Sequence, residues 1–376
     1  MKKILYINHI SKVSGGERSL LEVIKRINRN KYLPIILCPE EGRLTDLCRK
    51  HGLEYRLLKL PKMWVTYNLI VVTRFFFSTI LVSLQLHNLI KKEKIDLIHA
   101  NTSIAGIYSI LACPALPIII HVRDIYRKTF FRKFIIWFLS RFSSRIVVVS
   151  QAVAQLFPKG DKKIKLVYNG IDVEDFSSNL RGGVLKTDYK DKFLIGYLGQ
   201  ITARKGIDIF IESAGLINNK SKGTAIFFIL GEIFHDEDIK YKKLLENLIE
   251  GYRLQETVVF LGHKDDPREY LLDFDIIVVP SNTPDPLPRI ILEAMALEKA
   301  VIGTNLGGIP EQIIDNLNGL LIEPNNALAL AKAIGCLLNN PTKLKKMGTE
   351  GKKRVKICFD INRSVKRIED IYQELL

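Results

Sequence analysis

The chain has 376 residues, of which 47% are hydrophobic and 26% charged, a balance typical of folded globular proteins that excludes a disordered or fibrous chain. This length exceeds what a single hydrophobic core usually supports, so it predicts two domains. The net charge is +16 and lies wholly in the first half, because residues 1–180 hold 29 Lys and Arg against 13 Asp and Glu while the remainder holds 27 of each.

In the first half, short apolar runs alternate with helix-length segments. The predicted strands cover residues 3–8, 33–38, 55–58, 97–100, 118–122, 145–149 and 165–168. Strands separated in this way form βαβ units and a parallel sheet.

Two sites in this half have the residues for ligand binding. Gly15 and Gly16 lie between the first strand and a helix, where the backbone can approach a ligand closely and free helix amides attract anions. They do not complete the G-x-G-x-x-G fingerprint, which argues against a nicotinamide-linked enzyme. His121 ends an apolar run, as His99 does in the preceding strand; a histidine there can bind a ligand or serve only the structure.

Two apolar segments of the first half are candidates for contact with a membrane. Polar residues interrupt segment 63–90, so it lacks the roughly 18 consecutive apolar residues of a transmembrane helix. Segment 127–145 has six basic residues and no acid, with Phe131, Phe134, Phe138 and Phe142 at helical spacing. That pattern is typical of a helix lying on an anionic membrane, and it also fits a helix that buries its aromatic stripe against the sheet. Nucleic acid is not expected as the partner, because neither a helix-turn-helix nor an RNA-binding signature is present.

In the second half, strands are predicted at residues 193–198, 225–230, 258–261, 276–279, 300–303 and 319–322. The polar, glycine-containing stretch 177–191 is the expected linker. We therefore expect an N-terminal domain over residues 1–180, a C-terminal domain over residues 190–358, and a final helix in residues 359–376.

Cations and acids follow the strands of the second half. Arg204 and Lys205 lie in a strand-to-helix turn, where Arg offers a fork and Lys a point charge to a diphosphate; the pair also fits a solvated loop. Asp285 follows the strand at 276–279, and Glu293 lies in the first turns of the next helix. Ligands bind beyond the carboxyl ends of parallel strands, and ionised carboxylates accept hydrogen bonds from sugar hydroxyls.

In order and spacing, these pieces resemble the retaining glycosyltransferases of family 4, also called glycosyl transferases group 1. They include the Gly15–Gly16 pair, His121, Lys205, Gly262-His263, and Asp285 to Glu293-Ala-Met-Ala, and they cover almost the whole chain. The resemblance implies an α/β protein with the GT-B fold, in which two Rossmann-like parallel-sheet domains face each other across a cleft. In this fold the last helix often crosses back to the first domain, which is what the resemblance implies for residues 359–376. It also implies transfer of a sugar from a UDP- or GDP-sugar, with no cofactor and no metal.

Roles follow from the resemblance by position. Arg204 and Lys205 hold the diphosphate, Glu293 contacts the ribose, and Asp285 contacts the donor sugar. Gly15 and Gly16 line the cleft beneath the phosphates, His121 faces the sugar, and Gly262 and His263 meet the base.

The motif departs from the family pattern in three ways. Asp285 replaces the more usual Glu, and Gln200 stands where an Arg often accompanies the Lys. Leu287 and Pro288 replace Phe-Gly; Pro288 cannot donate a backbone hydrogen bond to phosphate but is acceptable as the first helical residue.

The basic, aromatic-rich first half suits a lipid-linked saccharide or a glycolipid as acceptor, bound at an anionic membrane surface. Five scattered cysteines favour a reducing compartment. We therefore expect a cytoplasmic protein, peripheral on the inner face of the cytoplasmic membrane. Two alternatives remain open: a non-catalytic nucleotide-sugar binding protein, and a nucleotide-sugar epimerase on the same fold.

Overall fold

A computed structural model describes residues 1–61, 69–125, 130–220, 222–233 and 238–376, with only the backbone described for 69–76 and 130–132. It divides into unit 1, which comprises Met1–Asn169 and Ile361–Leu376, and unit 2, which comprises Gly170–Asp360.

Helices and strands alternate throughout both units. Up to residue 169 they are β1 (Lys2–Ile7), α1 (Gly15–Arg26), β2 (Tyr32–Cys38), α2 (Arg43–Lys50), β3 (Glu54–Leu57), α3 (Leu69–Glu93), β4 (Leu97–Ala100), α4 (Ser103–Ala112), β5 (Ile118–Val122), α5 (Phe130–Phe142), β6 (Arg145–Val148), α6 (Gln151–Ala154) and β7 (Ile164–Leu166). From residue 170 they are α7 (Val173–Ser177), β8 (Phe193–Leu198), α8 (Ile207–Lys220), β9 (Ala225–Leu230), α9 (Asp238–Gly251), β10 (Val258–Gly262), α10 (Arg268–Asp273), β11 (Ile276–Val279), α11 (Arg289–Ala296), β12 (Ala300–Thr304), α12 (Ile309–Gln312), β13 (Leu320–Ile322), α13 (Ala327–Leu338), α14 (Pro341–Cys358) and α15 (Ile361–Leu375).

Each unit contains one wholly parallel sheet. The strand order is β3-β2-β1-β4-β5-β6-β7 in unit 1 and β10-β9-β8-β11-β12-β13 in unit 2. All thirteen predicted strands are confirmed, with ends within two residues of those expected. They were recognisable because strands covered on both faces are apolar along their whole length.

The core of unit 1 includes the last helix of the chain. Val365, Ile368 and Tyr372 of α15 belong to the same buried cluster as Leu20 and Ile24 of α1. A polar outer face and an apolar inner stripe give α15 its position, as in other helices that cover a sheet.

The chain passes between the units at residues 169–170 and 360–361, so residues 170–180 belong to unit 2. The stretch 177–191, predicted to be the linker, also lies within unit 2. Its Leu185 is buried, and the main-chain amides of Gly183 and Leu185 donate to the Asp273 carboxylate at 2.7 and 2.6 Å. The glycines and polar residues of this stretch therefore form an anchored loop.

None of the helices formed by the described residues combines the length and apolarity needed to cross a membrane.

Candidate functional site

The strand order of unit 2 reverses between β8 and β11. At such a point of an open parallel sheet, the connections leave in opposite directions and open a crevice beyond the strand ends, where ligands bind. The loops after β8, β11 and β12 meet here, and the first two carry the predicted cations and Asp285.

A glycine holds the loop after β8 against the loop after β11. Gly206 has a φ of 67°, in the left-handed region, and a Cβ built on it would lie 2.1 Å from the Pro280 carbonyl oxygen. Only glycine fits this position. The Asn282 side chain also donates a hydrogen bond to a main-chain carbonyl of the preceding turn, at 2.8 Å. These contacts fix the turn that carries Arg204 and Lys205.

Lys205 and Asp285 form an ion pair across these two loops, 80 residues apart in sequence. Asp285 is nearly buried, and its main-chain carbonyl accepts a hydrogen bond from the Gly308 amide at 2.7 Å. Gly307, with a φ of 59°, lies so close that its Cβ would be 2.2 Å from the same oxygen. Sequence reasoning assigned the cation and the carboxylate to different parts of a ligand; the structure brings them into contact.

Arg204 differs from its neighbour Lys205 in exposure. Its side chain lies at the surface and donates from Nη2 to Oε1 of Gln200 at 3.0 Å. The two cations predicted to act together therefore share a turn, with one directed inward and the other outward.

The second predicted acid, Glu293, is held by a residue that sequence reasoning missed. Glu293 accepts a hydrogen bond from Nε of Arg289 at 2.8 Å, and both side chains are almost nine-tenths buried. The sequence contained a signal for this pair, because an acid and a base four residues apart lie on one face of a helix.

Leu287 is buried, and Pro288 directly precedes α11 with a ψ of 117°, so the helix begins one residue later than predicted. The carbonyl of Pro288 accepts a hydrogen bond from Nε2 of Gln312 at 3.1 Å, which fixes the entrance to the helix. Proline has no backbone N–H to donate to the hydrogen bonds of a helix, so it fits best just before or within the first turn.

Gly262 and His263 lie at the end of β10, on the edge of the sheet. Gly262 has a φ of 68°, and its carbonyl accepts from the Gly231 amide at 3.0 Å. His263 is exposed, with Nδ1 at 3.1 Å from Glu232 and Nε2 at 3.5 Å from Asp265. The amide of Ile201, after β8, donates to the Glu232 carbonyl at 2.9 Å, so this edge is joined to the loop that carries Lys205.

In unit 1, Gly15 and Gly16 begin α1, where a carboxylate is already present. Glu17 is buried and accepts from the amide and the hydroxyl of Ser14, at 3.0 and 2.6 Å. This capping box satisfies a helix-start amide that sequence reasoning expected to be free for an anion, and its acid–Ser spacing is recognisable in sequence. A Cβ on Gly16 would lie 3.4 Å from Cδ of Arg123.

His121 lies at the carboxyl end of β5, beside Arg123, which sequence reasoning left without a role. Arg123 donates to the side-chain oxygens of Asn101 and Asn169 at 2.9 and 2.6 Å, and to Nδ1 of His121 at 3.2 Å. Burial, then Arg123, then His99 lower the pKa of His121 well below its usual value, so the ring is neutral. Asn101, Arg123 and Asn169 each follow a strand of the sheet. Polar residues at such positions were the signal in the sequence for this cluster.

No group of three or more His, Cys, Asp and Glu is placed to hold a metal ion within the described ranges. The acidic run Asp236-Glu237-Asp238 is expected from its polarity to be a solvated loop; Asp236 and Glu237 lie outside the described residues, and Asp238 is the first residue of α9.

Two family models match successive parts of the chain. The model of Glycosyltransferase Family 4 matches residues 13–175, and that of Glycosyl transferases group 1 matches residues 186–354. Together they cover all the strands of both sheets except β1.

The relatives agree with these matches. The UDP-Gal:alpha-D-GlcNAc-diphosphoundecaprenol alpha-1,3-galactosyltransferase of Escherichia coli is 24% identical, over all of this chain and 97% of its own. The capsular polysaccharide biosynthesis glycosyltransferase CapM of Staphylococcus aureus is 26% identical, over 80% and 82% of the two chains. Among solved structures, Anabaena HepE in complex with UDP and glucose superimposes with a TM-score of 0.86 over both complete chains, at 21% identity. The chain therefore belongs to the family 4, group 1 glycosyltransferases and has their GT-B fold.

Proposed function

We propose that this glycosyltransferase moves a sugar from a UDP-sugar to a lipid-linked saccharide or glycolipid, in the synthesis of a surface polysaccharide or glycolipid. The contact between Lys205 and Asp285 at the reversal of the strand order carries the proposal. UDP is favoured over GDP because the E. coli relative is named for UDP-Gal and HepE was solved with UDP. The same E. coli name supports a lipid-linked acceptor. Retention of the anomeric configuration rests on the family resemblance.

The leaving group of this reaction is a nucleoside diphosphate, whose developing charge must be stabilised. Lys205 supplies a point charge and Arg204 a fork of donors from the same turn. Lys205 is paired with Asp285 in the structure. A bound diphosphate gives Lys205 a second anionic partner, which leaves Asp285 to accept a hydrogen bond from a sugar hydroxyl. Because these cations carry the charge, the proposal requires no metal.

The remaining predicted residues have supporting roles in this scheme. Arg289 orients the carboxylate of Glu293 for the ribose hydroxyls, since an ionised carboxylate can only accept hydrogen bonds. The main chain at Gly262 and His263 meets the base, and the first amides of α11, after Leu287 and Pro288, meet the phosphates.

In unit 1, Gly15, Gly16 and His121 serve the sugar and the acceptor. The neutral state of His121 suits a hydrogen bond to a hydroxyl.

The test combines binding and turnover. The purified protein is screened against UDP- and GDP-sugars by thermal shift, and the sugar that binds is then supplied with a lipid-linked acceptor in the presence of EDTA. We expect a UDP-sugar to bind and turnover to survive chelation. Lys205→Ala and Glu293→Ala are each expected to lower kcat/KM by about 100-fold, as the removal of one transition-state contact does.

Lys242→Ala is the matched control, because Lys242 is exposed and paired with Glu246 on α9. Binding of UDP-sugars without any transfer supports the non-catalytic alternative, and formation of an epimeric UDP-sugar supports the epimerase. If no UDP-sugar binds, the proposal is wrong.

We further propose that unit 1 binds the cytoplasmic membrane from its inner face through α5, which explains its excess of basic charge. The inner face of α5 is aliphatic, since Ile135, Ile136 and Leu139 are buried. Its aromatic side chains point outward: Phe134 is 53% exposed and Trp137 57% exposed. The exposure of Phe134 and Phe142 favours membrane contact over the alternative in which the aromatic stripe packs against the sheet, while Phe138 is half-buried. The side chains of Phe131 and Arg132, and all of Lys128, lie outside the described residues.

These rings form a connected strip. Phe134 lies 5.8 Å from Trp137, and Trp137 lies 6.3 Å from Phe142, between ring centroids. The guanidinium of Arg141 lies 5.4 Å from the Phe142 ring, and Lys133 is exposed beside them. Aromatic rings flanked by cations are typical of helices that lie in the interface of an anionic bilayer. Helix α3 adds further exposed apolar side chains, including Phe77 and Leu81.

Cosedimentation with vesicles tests this surface. We expect binding to phosphatidylglycerol-containing vesicles at low salt, weaker binding at high salt, and little binding to phosphatidylcholine alone. Trp137→Ala is expected to lower the partition coefficient by about tenfold, because burying this ring contributes roughly 1.5–3 kcal/mol. Tyr252→Ala, at an exposed aromatic residue of unit 2, is the control. A protein that stays in the supernatant with anionic vesicles at low salt contradicts the proposal.

A further inference from the structure

Five side chains of unit 1 form a continuous polar chain from α15 to the carboxyl edge of the sheet. The hydroxyls of Tyr6 and Tyr372 lie 2.7 Å apart, and that of Tyr372 lies 2.7 Å from Nδ1 of His99. Nε2 of His99 lies 3.3 Å from Nδ1 of His121, which also contacts Nη2 of Arg123 at 3.2 Å. The four rings are at most 3% exposed.

Arg123 fixes the direction of every hydrogen bond in this chain. A guanidinium only donates, so Nδ1 of His121 must accept and carries no proton. Burial, together with Arg123, lowers the pKa of His99 to about 3 and that of His121 well below its usual value, so both rings are neutral. A neutral imidazole has one ring proton, and in His121 it is therefore on Nε2.

The positions of the other protons in this polar chain follow because each hydrogen bond joins one donor to one acceptor. Nε2 of His99 faces the same lone pair of Nδ1 of His121, which it shares with Arg123 at the longer distance of 3.3 Å. Two facing lone pairs would repel, so Nε2 of His99 carries the proton of its ring, and Nδ1 of His99 is an acceptor. The hydroxyl of Tyr372 must donate to it, and the hydroxyl of Tyr6 then donates to Tyr372.

We infer that His121 presents an Nε2–H donor to the ligand, and that Tyr372, on the last helix, is a positioning residue that holds the His99 ring so that it supports this tautomer. Nε2 of His121 is buried and has no hydrogen-bond partner among the described residues. Buried N–H groups are almost always paired in proteins, so this one points to an oxygen supplied by a ligand.

The consequence for catalysis rests on the proposed function. With its proton on Nε2 and its Nδ1 already occupied, His121 donates a hydrogen bond to a substrate oxygen and does not act as a general base. Tyr372, 273 residues after His99, contributes to the reaction without touching the substrate.

The tautomers can be measured without any substrate, by long-range ¹⁵N–¹H correlation spectra of the full chain labelled at its seven histidines. His99→Asn and His121→Asn identify the two sets of signals by their loss. In the wild-type protein we expect both rings to be neutral and protonated at Nε2. Tyr372→Phe is expected to shift the Nδ1 signal of His99 to that of a nitrogen without a hydrogen bond, and to lower kcat by about threefold to tenfold, the range for one hydrogen bond.

Tyr32→Phe is the matched control, because the Tyr32 ring packs edge-on against Tyr372 at 5.3 Å but lies outside the chain. It is expected to change neither the His99 signal nor kcat. A wild-type His121 protonated at Nδ1 or at both nitrogens overturns the inference, as does a Tyr372→Phe protein with an unchanged His99 signal. Absence of any glycosyl transfer, with the predicted tautomers present, contradicts the proposed function and leaves the tautomer assignment intact.

Discussion

Asp285 is bound through both its side chain and its main chain, and only the side-chain bond is open to exchange with a ligand. The main-chain bond to Gly308 sets where the residue lies, while the side chain is paired with Lys205. If Lys205 binds the donor diphosphate as proposed, the diphosphate and the Asp285 carboxylate compete for one ammonium group. We expect such competition to lower the affinity for the nucleotide while the ion pair keeps the cation in place.

Asp285→Asn tests this competition. Asn keeps the shape of the side chain but removes the charge, so Lys205 is left for the diphosphate. We expect UDP to bind about threefold to tenfold more tightly by calorimetry, in the range of the net free energy of one hydrogen bond. We also expect glycosyl transfer to fall, because the sugar loses its anionic acceptor.

Glu246→Gln, at an exposed acid on α9, controls for the loss of one negative charge and is expected to change neither quantity. Weaker UDP binding with unchanged transfer would mean that Asp285 supports Lys205 instead of competing for it.

At the scale of elements, the site depends on how tightly the loops after β8, β11 and β12 approach one another. Gly307 lies against the main chain of Asp285, where any side chain would combine a left-handed φ with overlap of that main chain. Gly307→Ala is expected to destabilise unit 2 by at least about 2 kcal/mol, from backbone strain and overlap with the Asp285 main chain. The denaturant midpoint and the affinity for UDP should both fall.

The matched control is Gly251→Ala. Gly251 ends α9 with no atom within 4 Å of its Cβ position, so alanine there should be neutral or slightly stabilising. Equal midpoints for the two variants would show that the loops can separate without cost.

Some of these elements could be predicted from the sequence and others could not. The strands were predictable because each is a continuous apolar run, and their alternation with helices implied parallel sheets. The orientation of α5 was not predictable. Helical spacing identified its aromatic stripe but left open whether the aliphatic or the aromatic side faces the sheet. The contact between Lys205 and Asp285 was out of reach too, since it depends on Gly206 and Gly307 bringing separate loops together.

At the scale of the whole molecule, the linker was predicted at residues 177–191 from their polar, glycine-containing composition. Composition does not distinguish a loop anchored to a domain from a free linker. Asp273 binds the amides of that stretch from 88 to 90 residues away in sequence. The polar chain through Tyr372 was equally hidden, because its members come from β1, β4, β5 and α15. What sequence reasoning did give for the site was the set of strand ends at which its residues lie.

The assignment of α15 to unit 1 makes unit 2 an insertion within unit 1. Met1 and Lys2 line the same shallow surface depression as Gln373 and Leu376, so the start of β1 lies beside the end of α15. Because unit 2 lies between α1 and α15 in sequence, all of unit 2 is synthesised before the helix that covers the apolar face of α1. The core of unit 1 is therefore closed only once α15 has been made, at a point where unit 2 already has all of its residues.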